Sequence, residues 1–135
     1  MATREEHVMD DTRIDHGTRA ASIAGTHLSD EVVQHLSEDL GLLGHPIRIR
    51  LLAMLVRHGG AICVCDLEAA LPVKQPTVSH HLRLLREAGL IDGERRGVWA
   101  YYSVRHDALG AMRARVDAAL TALTGIACTD VPMRA

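Results

Sequence analysis

Two thiols stand at positions i and i+2, Cys63 and Cys65, in the run ICVCDL. Thiolates select soft, thiophilic ions, and the protons they lose make such binding pH-dependent. On a regular helix, residues two apart point about 200° from each other, so their sulfurs cannot share an ion. In an extended segment they lie on one face and converge. Joint capture therefore requires, or imposes, a non-helical start to the element that follows. The plainer reading is a pair of small core hydrophobes. The close spacing at a helix entrance favours ligands. Three cysteines in a chain with no apolar leader argue against a disulfide framework and for metal or redox chemistry. With no C-x-x-C, no glycine-rich cofactor loop and no nucleophile–base set, a thiol enzyme is the weakest reading, and no organic cofactor is implied.

The second chemically loaded stretch follows directly. Pro76 fits a first helical position, and Val78, Leu82 and Leu85 then form an apolar stripe that ends at Gly89. Ser79, His80 and Arg83 project roughly opposite that stripe. Upstream, Leu67, Ala70 and Leu71 mark a brief amphipathic helix, and Leu71-Pro72-Val73-Lys74 a turn. Two helices joined in this way, the second with a donor-rich outer face, fit a helix-turn-helix or an ordinary helical hairpin. Leu90 to Val104 favours the first. It reads as a hairpin turning at Arg96-Gly97, with a second run, VWAYYSV, rich in aromatic and β-branched residues. Arg95 and Arg96 at its tip are placed to grip phosphate or enter a minor groove. The expected fold is mainly α with a β-hairpin wing, a winged helix-turn-helix.

The rest of the chain must position these parts. Residues 1–27 are polar and lack periodicity. They are expected to be a mobile tail, whose His7, His16 and His27 are either solvated or ligands for zinc or nickel. Residues 28–124 form the DNA-binding and dimerisation domain, and residues 125–135, with Cys128, a loose end. Ser29 caps a helix whose apolar face is Val32, Val33, Leu36, Leu40 and Leu43. Pro46 opens another, with Ile47, Ile49, Leu51, Leu52, Leu55 and Val56 central in the core and Arg48, Arg50 and Arg57 left for the surface. Asp107 to Thr124 is a last amphipathic helix. With the 29–43 helix it is expected to pack on a second subunit, giving a two-fold homodimer with recognition helices one DNA turn apart. Residues 1–44 hold three arginines against nine acids, a sum of −6, whereas residues 45–105 hold nine Lys/Arg against five acids, a sum of +4. The positive block coincides with the winged helix. No apolar run reaches membrane length, so no membrane partner and a cytoplasmic location are expected.

With ICVCDL, LPVKQPTVSHHLRLLREAGLI, RRGVWAYYSV and HPIRIRLLAML all present, the chain resembles the ArsR/SmtB family of metal-responsive repressors over about residues 30–124. The resemblance implies a winged-helix homodimer that holds an inverted repeat of operator DNA and is released by inducer. It implies arsenite or antimonite in the branch carrying CVCDL, and cadmium or lead in a sister branch. That sister branch uses N-terminal cysteines, which this chain lacks. By position it implies Cys63 and Cys65 as metal ligands, Gln75, Thr77, Ser79, His80 and Arg83 as the DNA-facing set, and Arg95, Arg96 and Gly97 as the wing. Many arsenic sensors carry a third cysteine where this chain has Glu68, so a three-coordinate site needs another donor, and Cys128 is the remaining cysteine. The family's zinc set on the last helix is incomplete here: His106 and Asp107 are present, but Ala118, Ala119 and Leu120 occupy the later positions. A redox or persulfide sensor on the same fold, pairing Cys63 or Cys65 with Cys128, is the alternative.

Overall fold

A computed structural model of the chain describes residues 28–124. The elements run α1 (Asp30–Leu43), α2 (Pro46–His58), β1 (Ile62–Cys63), α3 (Val64–Ala69), α4 (Gln75–Glu87), β2 (Ile91–Arg96), β3 (Trp99–Val104) and α5 (His106–Thr124). This is the mainly helical fold with a β wing that the sequence implies. The strands form one antiparallel sheet in the order β1-β3-β2.

Local chemistry sets the ends of these elements. Ser29 caps α1 by accepting from the Val32 N–H at 3.3 Å, with Asp30 and Glu31 in the first turn. His45 does the same for α2, its Nδ1 accepting from the Ile47 N–H at 3.2 Å, with Pro46 at the first helical position. The helix α4 ends in a Schellman motif. Gly89 takes φ +78°, its N–H reaches the Arg86 carbonyl, and the Leu90 N–H reaches the Leu85 carbonyl at 3.1 Å. The wing turns through Gly97 and Val98, between the Arg96–Trp99 pair. Only Gly97 has positive φ, +65°, the arrangement of a type II′ turn. The turn thus lies one residue later than Arg96-Gly97.

Leu51, Leu55, Leu67, Val78, Leu82, Leu85 and Ile91 are almost fully buried and bring α2, α3, α4 and β2 onto one core, with Met112 of α5 at its edge. Two expectations about α2 need correction. Ile49 is 53% exposed and Val56 43%, so α2 is buried along one side only. Arg48 is not left for the surface: its Nη1 donates to the Leu42 carbonyl at 2.8 Å and closes the end of α1. Val32, Val33 and Leu40, the expected apolar face of α1, remain exposed, as do Leu120 and Leu123 of α5. The strand β1 has no counterpart in the sequence reading. It pairs Ile62 with Tyr102 and Cys63 with Tyr101. The two amphipathic helices α1 and α5 lie together, joined by a bidentate pair, Arg115 Nε and Nη2 to Asp39 at 3.1 and 3.0 Å.

Candidate DNA interface and thiol pair

The thiols sit where sheet becomes helix. Cys63 ends β1 and is the N-cap of α3, with extended backbone (φ −61°, ψ 139°). Cys65 lies in the first turn. Because Cys63 has not entered the helix, its side chain is not turned away from Cys65 by the helical rotation, and the two thiols lie near enough for a bond between them to bear on the ionisation of Cys65. Cys63 is buried and Cys65 exposed, so the pair has one anchored and one accessible sulfur. The bond to Cys63 is the main cause of a raised Cys65 pKa, with local desolvation and the charges of Cys63 and Asp66 adding to it. Among the described residues no three His, Cys, Asp or Glu side chains gather as a metal set. Glu68, one turn beyond Cys65, has a buried Oε1 without a hydrogen-bond partner. Cys128 and the N-terminal histidines His7, His16 and His27 lie outside the described residues, as do both terminal segments, 1–27 and 125–135.

The second helix presents what its pattern promised. Val78, His81, Leu82 and Leu85 are buried, whereas Gln75, Thr77, Ser79, His80 and Arg83 are exposed. The Arg83 guanidinium is flanked by His80 Nδ1 at 3.0 Å and Glu87 at 3.9 Å. Both contacts are solvent-facing and hold the side chain loosely. No side chain caps α4; the Lys74 carbonyl accepts from the Thr77 and Val78 N–H groups instead.

The wing arginines differ. Arg95 pairs with Ala100 and shares a sheet face with Gly93 and Tyr102. That face borders a cleft of about 400 Å³ shared with Arg86 of α4. Arg96 lies on the opposite face, its guanidinium 4.5 Å from the centroid of the Tyr101 ring and 3.5 Å from Glu94. Gly97, Val98 and half-exposed Trp99 form the tip. Two residues escaped the sequence reading. Arg86 stands between recognition helix and wing; its spacing of three from Arg83 was the available signal. His81 was hidden behind its neighbour. It is 5% exposed, stacks on His45 at 4.2 Å, and burial followed by the positive surroundings of His45, Arg48 and His80 lowers its pKa.

A helix-turn-helix whose second helix has an exposed polar and basic face, flanked by a hairpin with two arginines just before its turn, defines a winged-helix DNA-binding protein. Comparison with known proteins places it further. Residues 45–92 match the family described as bacterial regulatory protein, arsR family. The chain is 35% identical over 100 residues to a transcriptional repressor SmtB homolog of Synechocystis, covering 74% of each protein. It is 31% identical over 98 residues to the arsenical resistance operon repressor of Staphylococcus xylosus, covering 73% of this chain and 92% of that one. A crystal structure of a possible transcriptional regulator for arsenical resistance superimposes with a TM-score of 0.55 at 33% identity, over 60% of this chain and 82% of that one. The chain belongs to the arsR family. It is a transcriptional regulator with a DNA-binding helix-turn-helix, in a family of regulators rather than enzymes.

Proposed function

We propose that this regulator is a metal(loid)-responsive repressor. As a homodimer in the cytoplasm it holds an inverted-repeat operator, and it lets go when arsenite or antimonite is captured by the thiolates of Cys63 and Cys65. The observation that carries this reading is the meeting of two sulfurs at the junction of β1 and α3. From there β1 runs into the wing sheet, and α3 packs on α4. A ligand that changes the backbone at Cys63 or Cys65 must disturb one or both DNA-contacting elements. Relatives named as an arsenical resistance operon repressor and as a possible regulator for arsenical resistance support the choice of ion.

The donor set fits a thiophile. Condensation of two thiols with neutral arsenous acid, As(OH)₃ + 2 RSH → (RS)₂AsOH + 2 H₂O, releases water and no proton. Cys128 is our candidate for a third sulfur, reaching in from either subunit. For the dimer, the support is the apolar surface that one protomer leaves uncovered: Val32, Val33 and Leu40 of α1 with Leu120 and Leu123 of α5. Of these, Leu120 lines a groove together with Leu43, Leu109 and Val116. On the DNA side, Gln75, Thr77, Ser79, His80 and Arg83 would face the major groove. Arg95, Arg96 and Gly97 would follow the backbone into the adjacent minor groove.

The test is operator affinity at fixed salt with arsenite, Cd(II), Zn(II) or peroxide added. Arsenite is expected to weaken binding roughly 5- to 150-fold, the usual range of allosteric coupling. Cys63→Ser and Cys65→Ser should each lose that response while still binding operator. A response confined to Cd(II) would move the assignment to a borderline-soft divalent ion. A response confined to peroxide would replace inducer capture with thiol oxidation.

A further inference from the structure

The outward face of the wing sheet carries a continuous row that the DNA and thiol sites each use only in part. Cys63 lies directly opposite Tyr101 in the β1–β3 ladder, and Tyr101 lies opposite Glu94 in the β2–β3 ladder. Residues paired across an antiparallel ladder project to the same face, with Cβ atoms roughly 4.5–5.5 Å apart. The Tyr101 ring, in turn, supports the Arg96 guanidinium at 4.5 Å, and Glu94 holds its other side at 3.5 Å. One aromatic side chain therefore stands between the buried sulfur and a tip arginine. The neighbouring residues of β3, Ala100 and Tyr102, face the other way, and Tyr102 packs on the core.

We infer that Tyr101 is a positioning residue that couples the thiol pair to the wing: its ring sets Arg96 for DNA contact and yields that setting when Cys63 is pulled toward a captured ion. Cys63 is the last laddered residue of a strand only two residues long, at the point where the ladder gives way to α3, so a pull from the α3 side acts on the end of the ladder. A ligand bridging Cys63 and Cys65 must draw the Cys63 side chain toward the α3 end of the strand. The space it vacates or crowds is against Tyr101, and an exposed guanidinium resting on a ring face is held only weakly and is easily displaced. Loosening Arg96 withdraws a charge from the DNA without unfolding anything. This route is separate from the one through α3 and the Pro72 turn to α4, and both rest on inducer capture at Cys63 and Cys65 as proposed above.

The experiment measures operator affinity with and without arsenite for wild type, Tyr101→Phe, Tyr101→Leu and Arg96→Gln. Ion uptake is followed in parallel by protection of the Cys63 and Cys65 thiols from alkylation. Trp99, the chain's sole tryptophan and the cross-strand partner of Arg96, reports on the wing by fluorescence in the absence of DNA. Wild type should lose affinity with arsenite and shift its Trp99 emission. Tyr101→Phe keeps the ring and should keep both responses. Tyr101→Leu should still protect its thiols, yet show a compressed affinity ratio, at least threefold smaller than wild type, and a silent Trp99. Arg96→Gln, on an exposed side chain, decides the matter if Tyr101→Leu does not fold. Its ratio should be compressed in the same way, because the contact that inducer would remove is already gone. Wild-type responses in both Tyr101→Leu and Arg96→Gln, or in Arg96→Gln alone if the leucine variant is unfolded, overturn the relay and leave inducer capture standing. A wild type whose operator affinity ignores arsenite overturns the inducer reading and the relay with it.

Discussion

On the proposed reading Arg83 and Arg95 meet the DNA from different elements, α4 and β2, and each is a single exposed guanidinium whose removal leaves the core intact. Arg83→Ala and Arg95→Ala should each weaken operator binding and reduce the steepness of its salt dependence by about one unit of log K per log salt. Affinity measured at several salt concentrations checks this; unchanged slopes in both variants would remove these side chains from the interface. The thiols make a different prediction. Capture of Cd(II) by two protonated thiols releases two protons, so its affinity should climb with pH below the thiol pKa, the more so because Cys65 is shifted upward. Arsenous acid releases water instead, and its affinity should stay nearly flat from pH 6 to 8. Titrations across that window separate the two ions. At this scale the sequence was most legible where type and spacing alone decide exposure, as for Ser79, His80 and Arg83. It was least legible where a neighbour decides the role. Nothing in the spacing of Arg96 and Tyr101 foretells a ring beneath a guanidinium, and the adjacent His80 and His81 differ only in which side of α4 they meet.

The elements show why. Strong helical periodicity and punctuation by Pro46, Pro76 and Gly89 made α2, α4 and the wing readable in advance. A strand of two residues has no periodicity to read, and β1 exists only because β3 offers it a partner. Arg48 looked like surface because its guanidinium finds its acceptors on a different helix. Two stability predictions belong here. Arg115→Leu leaves Asp39, 9% exposed, without its bidentate partner. The expected loss is about 1–3 kcal/mol, read from the urea midpoint at unchanged m. His81, wedged between α4 and the start of α2, has a pKa depressed below its ordinary 6.5. The unfolded chain takes up that proton first as pH falls. Stability should therefore be indifferent to His81 above about pH 6.5 and decline below it, until the folded-state pKa is passed. In His81→Leu the decline between pH 6.5 and 5 should be shallower than in wild type. Equal slopes would mean the ring is not held neutral by its surroundings.

At the level of the molecule, the proposed reading surface carries Arg83, Arg95 and Arg96, and exposed apolar residues of α1 and α5 await a covering partner, whose identity is our proposal. Placing a carboxylate in the apolar surface by Leu120→Glu or Val33→Glu should yield monomers in sedimentation. Loss of the second half-site contact should then lower operator affinity by roughly 10²–10⁴-fold, the usual worth of linked binding. Retained dimers with full affinity would place the interface elsewhere. The central claim, that a thiophile held by Cys63 and Cys65 and an operator held by α4 and the wing exclude one another, is tested most directly by one ratio. That ratio is the operator dissociation constant of the arsenite-saturated wild type divided by that of the free protein, at the same salt and pH. A ratio between roughly 5 and 150 is predicted. A ratio of one, with both thiols shown to be occupied, would contradict it.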